Sequence, residues 1–475
     1  MNPCSPIPRS RSRRNGRVPA TRGGRGGGRS RRRLAPGVAG TMVALALAPA
    51  ALGAEARDSA DSRPPTFYRD VLPILQEQCQ DCHRPAGNTN SGMVAPMSLT
   101  RYDEVRPWAK SIAKLVETRE MPPWFAAPAF HGVFEGERTL ADAQIATVLD
   151  WVRAGAPEGD ATTAPPPRAF PSAAGWTLGE PDLVIDMPEP YWVADEIEDV
   201  QPSFDVVLTE EQLPEDRWIQ WIEFRPGDPK LVHHGGARVT PLDAAGKPYV
   251  DPVSGGKIIG TAPGDGPDLW PVGYGKLIRK GSKITFGLHY HKEPGPGTGG
   301  WDRSQLAIKW HREPVAHVVR AAGISSRGWE IPPGQERWRV GAARTFDEDS
   351  VIVNMMPHMH TRGAEAKYEV VYPDGRREVV LHVPSYNYNW QLTYTFKEPK
   401  FVPAGSRLEV TMWFNNSESN PFLIESPDRA VGFGGMTIDE MNIGWTEYAN
   451  AHPIADLLTH DFGTQGTGVE DVDLD

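Results

Sequence analysis

Cys79-Gln80-Asp81-Cys82-His83 has a spacing with a chemical cause. Two thiols three positions apart can add to the two vinyl groups of one porphyrin while the adjacent imidazole reaches the iron, and C-x-x-C-H is the attachment signature of haem c. A redox dithiol would want a βαβ setting, which the surrounding pattern lacks. Half of a zinc site would want two further soft ligands, and the only other cysteine is Cys4. One such motif predicts one covalent haem. A downstream methionine is expected as the sixth ligand, which raises the potential. Met93, Met97 and Met121 are the candidates. Met121 is preferred because Pro122 and Pro123 fix an extended backbone behind it, as suits a loop pressed onto a haem face.

Histidine supplies the second set. Three tight clusters occur: Val232-His233-His234-Gly235, Leu288-His289-Tyr290-His291 and Met356-Pro357-His358-Met359-His360. On a strand, residues i and i+2 project to one face, so His358 and His360 can chelate one metal while Met359 points away. His233 and His234 are adjacent and need an irregular backbone, or separate partners, to do the same. Imidazole with an occasional thioether suits copper better than calcium or magnesium. One His-x-His pair on a strand is often surface or a satisfied core pair. Three clusters in one acidic region, near a Met-rich segment, are harder to dismiss.

Two kinds of element must position these groups. From Thr66 to about Ala156 the apolar period is helical: Phe67, Val71, Leu75 and Cys79 recur every four residues, as do Ile145, Val148, Leu149 and Val152 at i, i+3, i+4, i+7. Thr139 and Asp142 stand in a capping-box arrangement and Gly155 lies just past the end. Gly159–Gly175 is rich in Pro, Ala and Thr with no apolar period, and reads as a semi-rigid linker. Beyond it the period becomes two. Lys283–Tyr290 and Ser406–Phe414 are β-type runs, and Pro373-Asp374-Gly375 is a turn between Lys367–Val371 and Arg377–Leu381. No repeat at periods of 20–50 residues is found.

Length and composition bound the rest. A chain of 475 residues exceeds one ordinary domain. Residues 1–56 hold 11 Arg, no Lys and one acid, Glu55, and their apolar Gly37–Ala54 run ends in a small-x-small cleavage pattern, Ala54-Glu55-Ala56. This predicts a signal peptide and a periplasmic or secreted protein. Ser30–Leu34 faintly resembles a twin-arginine signal, but haem c is joined to an unfolded polypeptide outside the cytoplasmic membrane, which favours the general secretory route. Residues 57–475 carry 39 basic and 60 acidic residues, a charge of −21. That argues against nucleic acid or an anionic membrane as a partner. No later stretch is long and apolar enough to predict a transmembrane segment in the mature protein.

Residues 183–450 resemble the copper type II, ascorbate-dependent monooxygenases, the family of peptidylglycine α-hydroxylating monooxygenase and dopamine β-monooxygenase. Four motifs in the family's order carry the resemblance: the His233-His234 pair, His289-Tyr290 after a strand, His358-x-His360, and Asp439-Glu440-Met441. The resemblance implies two jelly-roll-like β-sandwiches, each with one copper, facing across a solvent-filled cleft. It implies an electron-storing copper on His233, His234 and His289, and a catalytic, oxygen-activating copper on His358, His360 and Met441. His291 has no counterpart as a ligand and is expected beside the first copper. Met121-Pro122-Pro123-Trp124 is similar to a stretch of small class I cytochrome c domains. Tyr386–Trp390 and Asn415-Asn416-Ser417 resemble segments of bacterial members.

Two departures matter. The animal enzymes are rich in disulfides, whereas this β region has no Cys and must stand on packing, with 12 of its 15 Trp lying after the linker. Peptide-amidating members hold the substrate carboxylate with an Arg two places before His-x-His. Here that place is Met356, which makes a glycine-extended peptide an unsuitable substrate.

The expected fold class is therefore multidomain: a small all-α cytochrome c domain followed by two all-β, jelly-roll-like sandwich domains. The expected boundaries are a signal peptide over 1–56, the cytochrome c domain over 64–158, the Pro-rich linker over 159–180, the N-terminal copper-monooxygenase sandwich over 181–325, and the C-terminal one over 326–475 with its acidic tail. The expected function is hydroxylation of a C–H bond of a small organic substrate with O2. Electrons would come from an ascorbate-like reductant or a periplasmic donor protein, relayed by the fused haem. The alternatives are a non-catalytic periplasmic electron-transfer or copper-handling protein, and a haem-bearing binding module whose histidines are structural.

Overall fold

The helical period is realised as Leu72–Gln78, Tyr102–Val105, Ala109–Glu117 and Asp142–Arg153 in a computed structural model. The structure describes residues 63–84, 95, 97–170, 175–262, 265–455, 457 and 469–471. The expected signal peptide, Met93 and most of the acidic tail lie outside the described residues. The apolar stripes of the helices close on one core, in which Phe67, Leu75, Val105, Val148 and Trp151 are buried. The last helix begins two residues later than the expected box: Ala141, not Thr139, is the N-cap, and its N–H donates to Gln144 Oε1 at 2.9 Å. Gly155, at φ 90°, follows the C-cap Ala154 and supplies the left-handed residue that ends the helix.

The expected linker is not a free spacer over its described part. Gln76 Nε2 donates to Pro166 O at 3.0 Å, and Arg168 Nη1 donates to Gln76 O at 2.7 Å. Ala164 packs against the helical core. The run up to Phe170 therefore lies back along the first helix.

From Leu183 onward the described residues form β-sheet. The nine-stranded sheet runs in the order Leu183–Asp186, Gln305–Trp310, Arg217–Arg225, Tyr274–Ile278, His317–Ile324, Ile443–Asn450, Ser350–His358 and Tyr394–Val402, with Asp268–Leu269 attached to Arg217–Arg225. Its first half packs on a five-stranded sheet containing Ser203–Val207, Lys283–His291, Val232–Thr240 and Gly256–Thr261, around Phe224, Ile284, Phe286, Leu288 and Leu306. Its second half packs on another five-stranded sheet containing Gly363–Val371, Arg407–Phe414 and Trp338–Thr345, around Ile352, Tyr368, Val410, Met412 and Phe414. Alternation in Arg407–Phe414 places Leu408, Val410, Met412 and Phe414 in that core as expected. The Pro373-Asp374-Gly375 turn is realised too, with Gly375 at φ 85° and its N–H bonded to Tyr372 O at 2.9 Å.

Two boundaries differ from expectation. His317–Ile324 pairs along its length with Ile443–Asn450, so the second half begins before residue 326. The two halves also share a sheet, because Tyr274 and Gly275 pair in parallel with His317 and Val318. Nearer the N-terminus, residues 124–135 leave the helical core. Ala127 N–H donates to His382 O at 2.8 Å, Glu135 N–H to Thr395 O at 2.8 Å, and Lys397 N–H to Val133 O at 3.1 Å. Phe134 is fully buried in the core of the second half, 5.0 Å from the Phe396 ring. The expected 64–158 domain therefore gives up this segment to the second half, because its aromatics find no partner among the short helices. Residues Arg63–Asp475 form one compact unit.

Candidate metal centre

The adjacent pair His233-His234 is positioned by a β-bulge. Along Lys283–His291, Leu288 pairs with Gly235 and His289 with His234, but Tyr290 pairs with Val232. His233 is the extra residue, and a bulge re-aims the imidazole it bears. Both rings then face the same place: the His233 centroid lies 5.3 Å from His234 and 5.5 Å from His289. His233, His234 and His289 each offer a ring nitrogen, and these nitrogens all fall within 4.8 Å of one another.

The neighbours pre-set the ring nitrogens. Asp199 Oδ1 takes His289 Nε2 at 2.7 Å, which leaves Nδ1 as a lone pair 2.8 Å from His234 Nε2. His233 Nδ1 and His291 Nδ1 are buried with no hydrogen-bond partner. Buried polar atoms seldom go without a partner, and a metal supplies one. The donor set fits a soft or borderline cation. His291 Nδ1 stands 3.9 Å from Asp199 Oδ2, and its ring centroid lies 5.7 Å from that of His233.

His358 ends strand Ser350–His358, and His360 follows in the turn beyond it. Their ring centroids are 5.3 Å apart. Gln391 Oε1 lies 2.6 Å from His358 Nδ1, and Asp439 O lies 3.1 Å from His360 Nδ1. Each ring thus donates from Nδ1 and keeps Nε2 for a ligand, the usual outer-shell arrangement of metal-binding histidine. Glu440 fixes the turn itself by accepting the backbone N–H of His360 at 2.9 Å and of Arg362 at 2.6 Å. Met441 lines one cavity of about 400 Å³ together with His234 and His358.

The two sets do not face each other across a wide cleft, as the resemblance implied. His234 and His358 have ring centroids 5.7 Å apart, and His233 stacks on Tyr388 at 5.0 Å while His360 lies 6.5 Å from the same ring. The five expected histidine ligands therefore belong to one group, with Met441 on the wall of the adjoining cavity. Burial and neighbouring imidazoles push His233 down to about 3, His358 to about 3 and His360 to about 4, and His234 well below its ordinary value. The rings are neutral at ordinary pH, as ligands must be. Burial alone would raise Asp199, but hydrogen bonds from His289 and Thr437 outweigh it and hold the carboxyl well below the usual range.

Asp199, Gln391, Tyr388 and Glu440 have no role assigned from sequence. Tyr388 and Glu440 lie inside segments singled out by resemblance, whereas Asp199 carries no local signal at all.

In the helical segment, Cys79 and Cys82 are unpaired thiols at the end of Leu72–Gln78, and the N–H groups of Cys82 and His83 donate to Cys79 O at 3.2 and 3.0 Å. Burial pushes the Cys79 thiol up to about 12 and raises Cys82 too, so neither is a reactive thiolate. His83 Nδ1 lies 3.1 Å from Met97 O, which leaves Nε2 available. These donors fit a covalent haem. Met97 is tied by its carbonyl to the Nδ1 side of His83, while Met121 is half-buried with its N–H on Leu115 O at 3.1 Å. No helix among the described residues is long and apolar enough to cross a membrane.

No protein-family model matches the sequence, and no curated protein matches it. Similar solved structures include N-glycanase F (PNGase F), 8% identical over 58% of this protein and 98% of that one with a TM-score of 0.26. The cowpea mosaic virus top component is 7% identical over 59% of this protein and 93% of its own length, also at 0.26. Likenesses of this size carry no argument about function.

Proposed function

We propose that the protein is a copper-dependent monooxygenase that hydroxylates a C–H bond of a small organic substrate, with electrons entering through a haem c on Cys79, Cys82 and His83. The observation that carries this reading is the convergence of His233, His234, His289, His358 and His360 on one place, with Met441 lining the adjoining cavity. When bound, copper supplies O2 activation and one-electron exchange, so that one oxygen atom enters the C–H bond and the other leaves as water with two electrons and two protons taken up.

The protein's own residues perform the positioning. Asp199 holds the Nε2 edge of His289, so that Nδ1 is presented beside His234 Nε2. Gln391 and the Asp439 carbonyl orient His358 and His360, and Glu440 ties down the backbone between them. Val232–Thr240 and Ser350–His358 bring the two sets together from different halves of the protein. Their closeness supports electron exchange without a solvent gap. Docking of Trp124–Glu135 on the second half supports a haem-bearing region that is fixed rather than tethered. Cytochrome c domain, jelly-roll topology and periplasmic location are parts of the same proposal.

Metal analysis of the purified protein tests it first, with one iron and two coppers per polypeptide expected. Ascorbate-driven oxygen uptake that yields a hydroxylated product tests the activity. Full copper occupancy with no substrate-dependent uptake would reject the enzyme in favour of an electron-transfer or copper-handling protein.

A further inference from the structure

The cavity beside His234, His358 and Met441 has two unlike walls. One is the face of the first five-stranded sheet. His234 and His289 pair across it, and two residues along each strand the same face carries Gly236 and Gly287. Gly287 pairs with Ser203 on one side and Gly236 on the other, and Gly236 pairs with Gly260. This row carries glycine on three strands and Ser203 on the fourth, with Gly260 covered by Lys257 and Gly287 left open. A carbon added at Gly287 would meet nothing within 4 Å. The facing wall is apolar, made by Met356, Ile443 and Trp445 from the second half.

Two cations line this space, the exposed Arg238 and the half-buried Lys257, and Lys257 is the one set against the apolar wall. The Lys257 side chain lies over Gly260, so close that a carbon added there would stand 2.5 Å from Nζ, and Nζ sits 4.1 Å from the Trp445 ring centroid. Its ammonium makes no hydrogen bond or ion pair with any described residue. Three carboxylates act on it through space, those of Asp268, Glu447 and Asp265, and Glu447 is already occupied by Lys276 Nζ, Trp270 Nε1 at 2.9 Å and Asn354 Nδ2 at 3.0 Å. A largely desolvated ammonium with free donors gains from an incoming carboxylate through charge-assisted hydrogen bonds. It repels an incoming cation by the same physics.

We infer that the cavity selects a small, flat aromatic carboxylate, with Lys257 as its specificity-determining residue; this rests on the monooxygenase reading of the same site. The ring lies over Gly287, its carboxylate meets Lys257 beside the Trp445 indole, and its benzylic C–H bonds face His358 and Met441. An aromatic face packs well on a peptide plane, and a thicker saturated ring does not.

Isothermal titration of the copper-loaded, full-length protein without reductant tests this independently of turnover. Phenylacetate is expected to bind at least about tenfold tighter than the neutral isostere phenylacetamide. Cyclohexylacetate should bind more weakly than phenylacetate, and phenethylamine not measurably. Lys257→Met keeps the apolar stem over Gly260 and should reduce phenylacetate affinity to that of the amide. Gly287→Val projects into open space, so it should fold and weaken acid and amide alike. Failure of phenylacetate to bind, equal affinity for acid and amide, a preference for the amine, or an acid preference that survives in Lys257→Met would overturn the inference. Selective binding with no hydroxylation under any reductant would keep the pocket and remove the monooxygenase.

Discussion

The carboxylate of Asp199 joins two parts of the sequence 238 positions apart: Oδ2 accepts the N–H of Thr437 at 3.0 Å and its hydroxyl at 2.5 Å, while Oδ1 takes His289 Nε2 at 2.7 Å. One residue thus orients a candidate ligand of the first set and anchors the loop that leads to Asp439-Glu440-Met441. Outer partners of this kind tune ligand basicity and fix the ring in place.

Asp199→Asn should therefore weaken copper at His233, His234 and His289 by about 10- to 100-fold. Competition against a chelator of known affinity measures it. An unchanged dissociation constant would show that Asp199 only fastens the loop.

Met441→Ala should leave haem attachment and the first copper intact yet abolish hydroxylation, since Met441 is proposed as a ligand of the oxygen site alone. Copper stoichiometry and product analysis read the two effects separately. Normal turnover in this variant would remove Met441 from the ligand set.

Asp265 gives a pH signature outside the ligands. It is buried, and burial raises its carboxyl to about 6 despite hydrogen bonds from Thr393 and Ala262. A raised carboxyl contributes stability that is present below its unfolded value near 3.8 and is lost as pH rises through about 6. Asp265→Asn stays neutral throughout. Its stability in denaturant should therefore improve relative to wild type between pH 4 and pH 7, by up to about 3 kcal/mol for a shift of this size. A constant difference across that range would refute the assignment.

Phe134→Ala removes a fully buried ring that touches Phe396 and Tyr394. The expected loss is about 3–5 kcal/mol. Denaturant unfolding followed separately by helix signal and by tryptophan fluorescence should be one transition in wild type and two in the variant.

Replacing Cys79 and Cys82 by Ala should leave both coppers and ascorbate-driven turnover, because ascorbate is small enough to reduce copper directly. Turnover with a reduced cytochrome or cupredoxin should fail. Equal rates with a protein donor in both proteins would make the haem a passenger.

The sequence exposes what depends on neighbours along the backbone. Alternation places Leu408, Val410, Met412 and Phe414 inward, and the adjacency of His233 and His234 demands an irregular backbone, which is a bulge. Where that bulge falls is not legible, because register is set by the partner strand. Asp199 stays invisible for a similar reason: one acid among many gains meaning only from Thr437 and His289 across the fold. Trp124–Glu135 reads as part of the helical region by proximity in sequence. Its Pro128 and Gly132, which interrupt a helical run, are the available sign that it leaves the helices. The aperiodic 159–170 run is legible as non-helical, while its return onto Gln76 is not.

Burial of Phe134 against Phe396 also fixes an order of events during biosynthesis. The aromatic segment, made early, has no complete surface to settle on until the strand carrying Tyr394 and Phe396 has been made. Domains usually fold from the N-terminus as they emerge. This protein must instead keep an early segment waiting for a late one, so a late step of its maturation is a closure that ties the helical region to a strand synthesised more than half the sequence later.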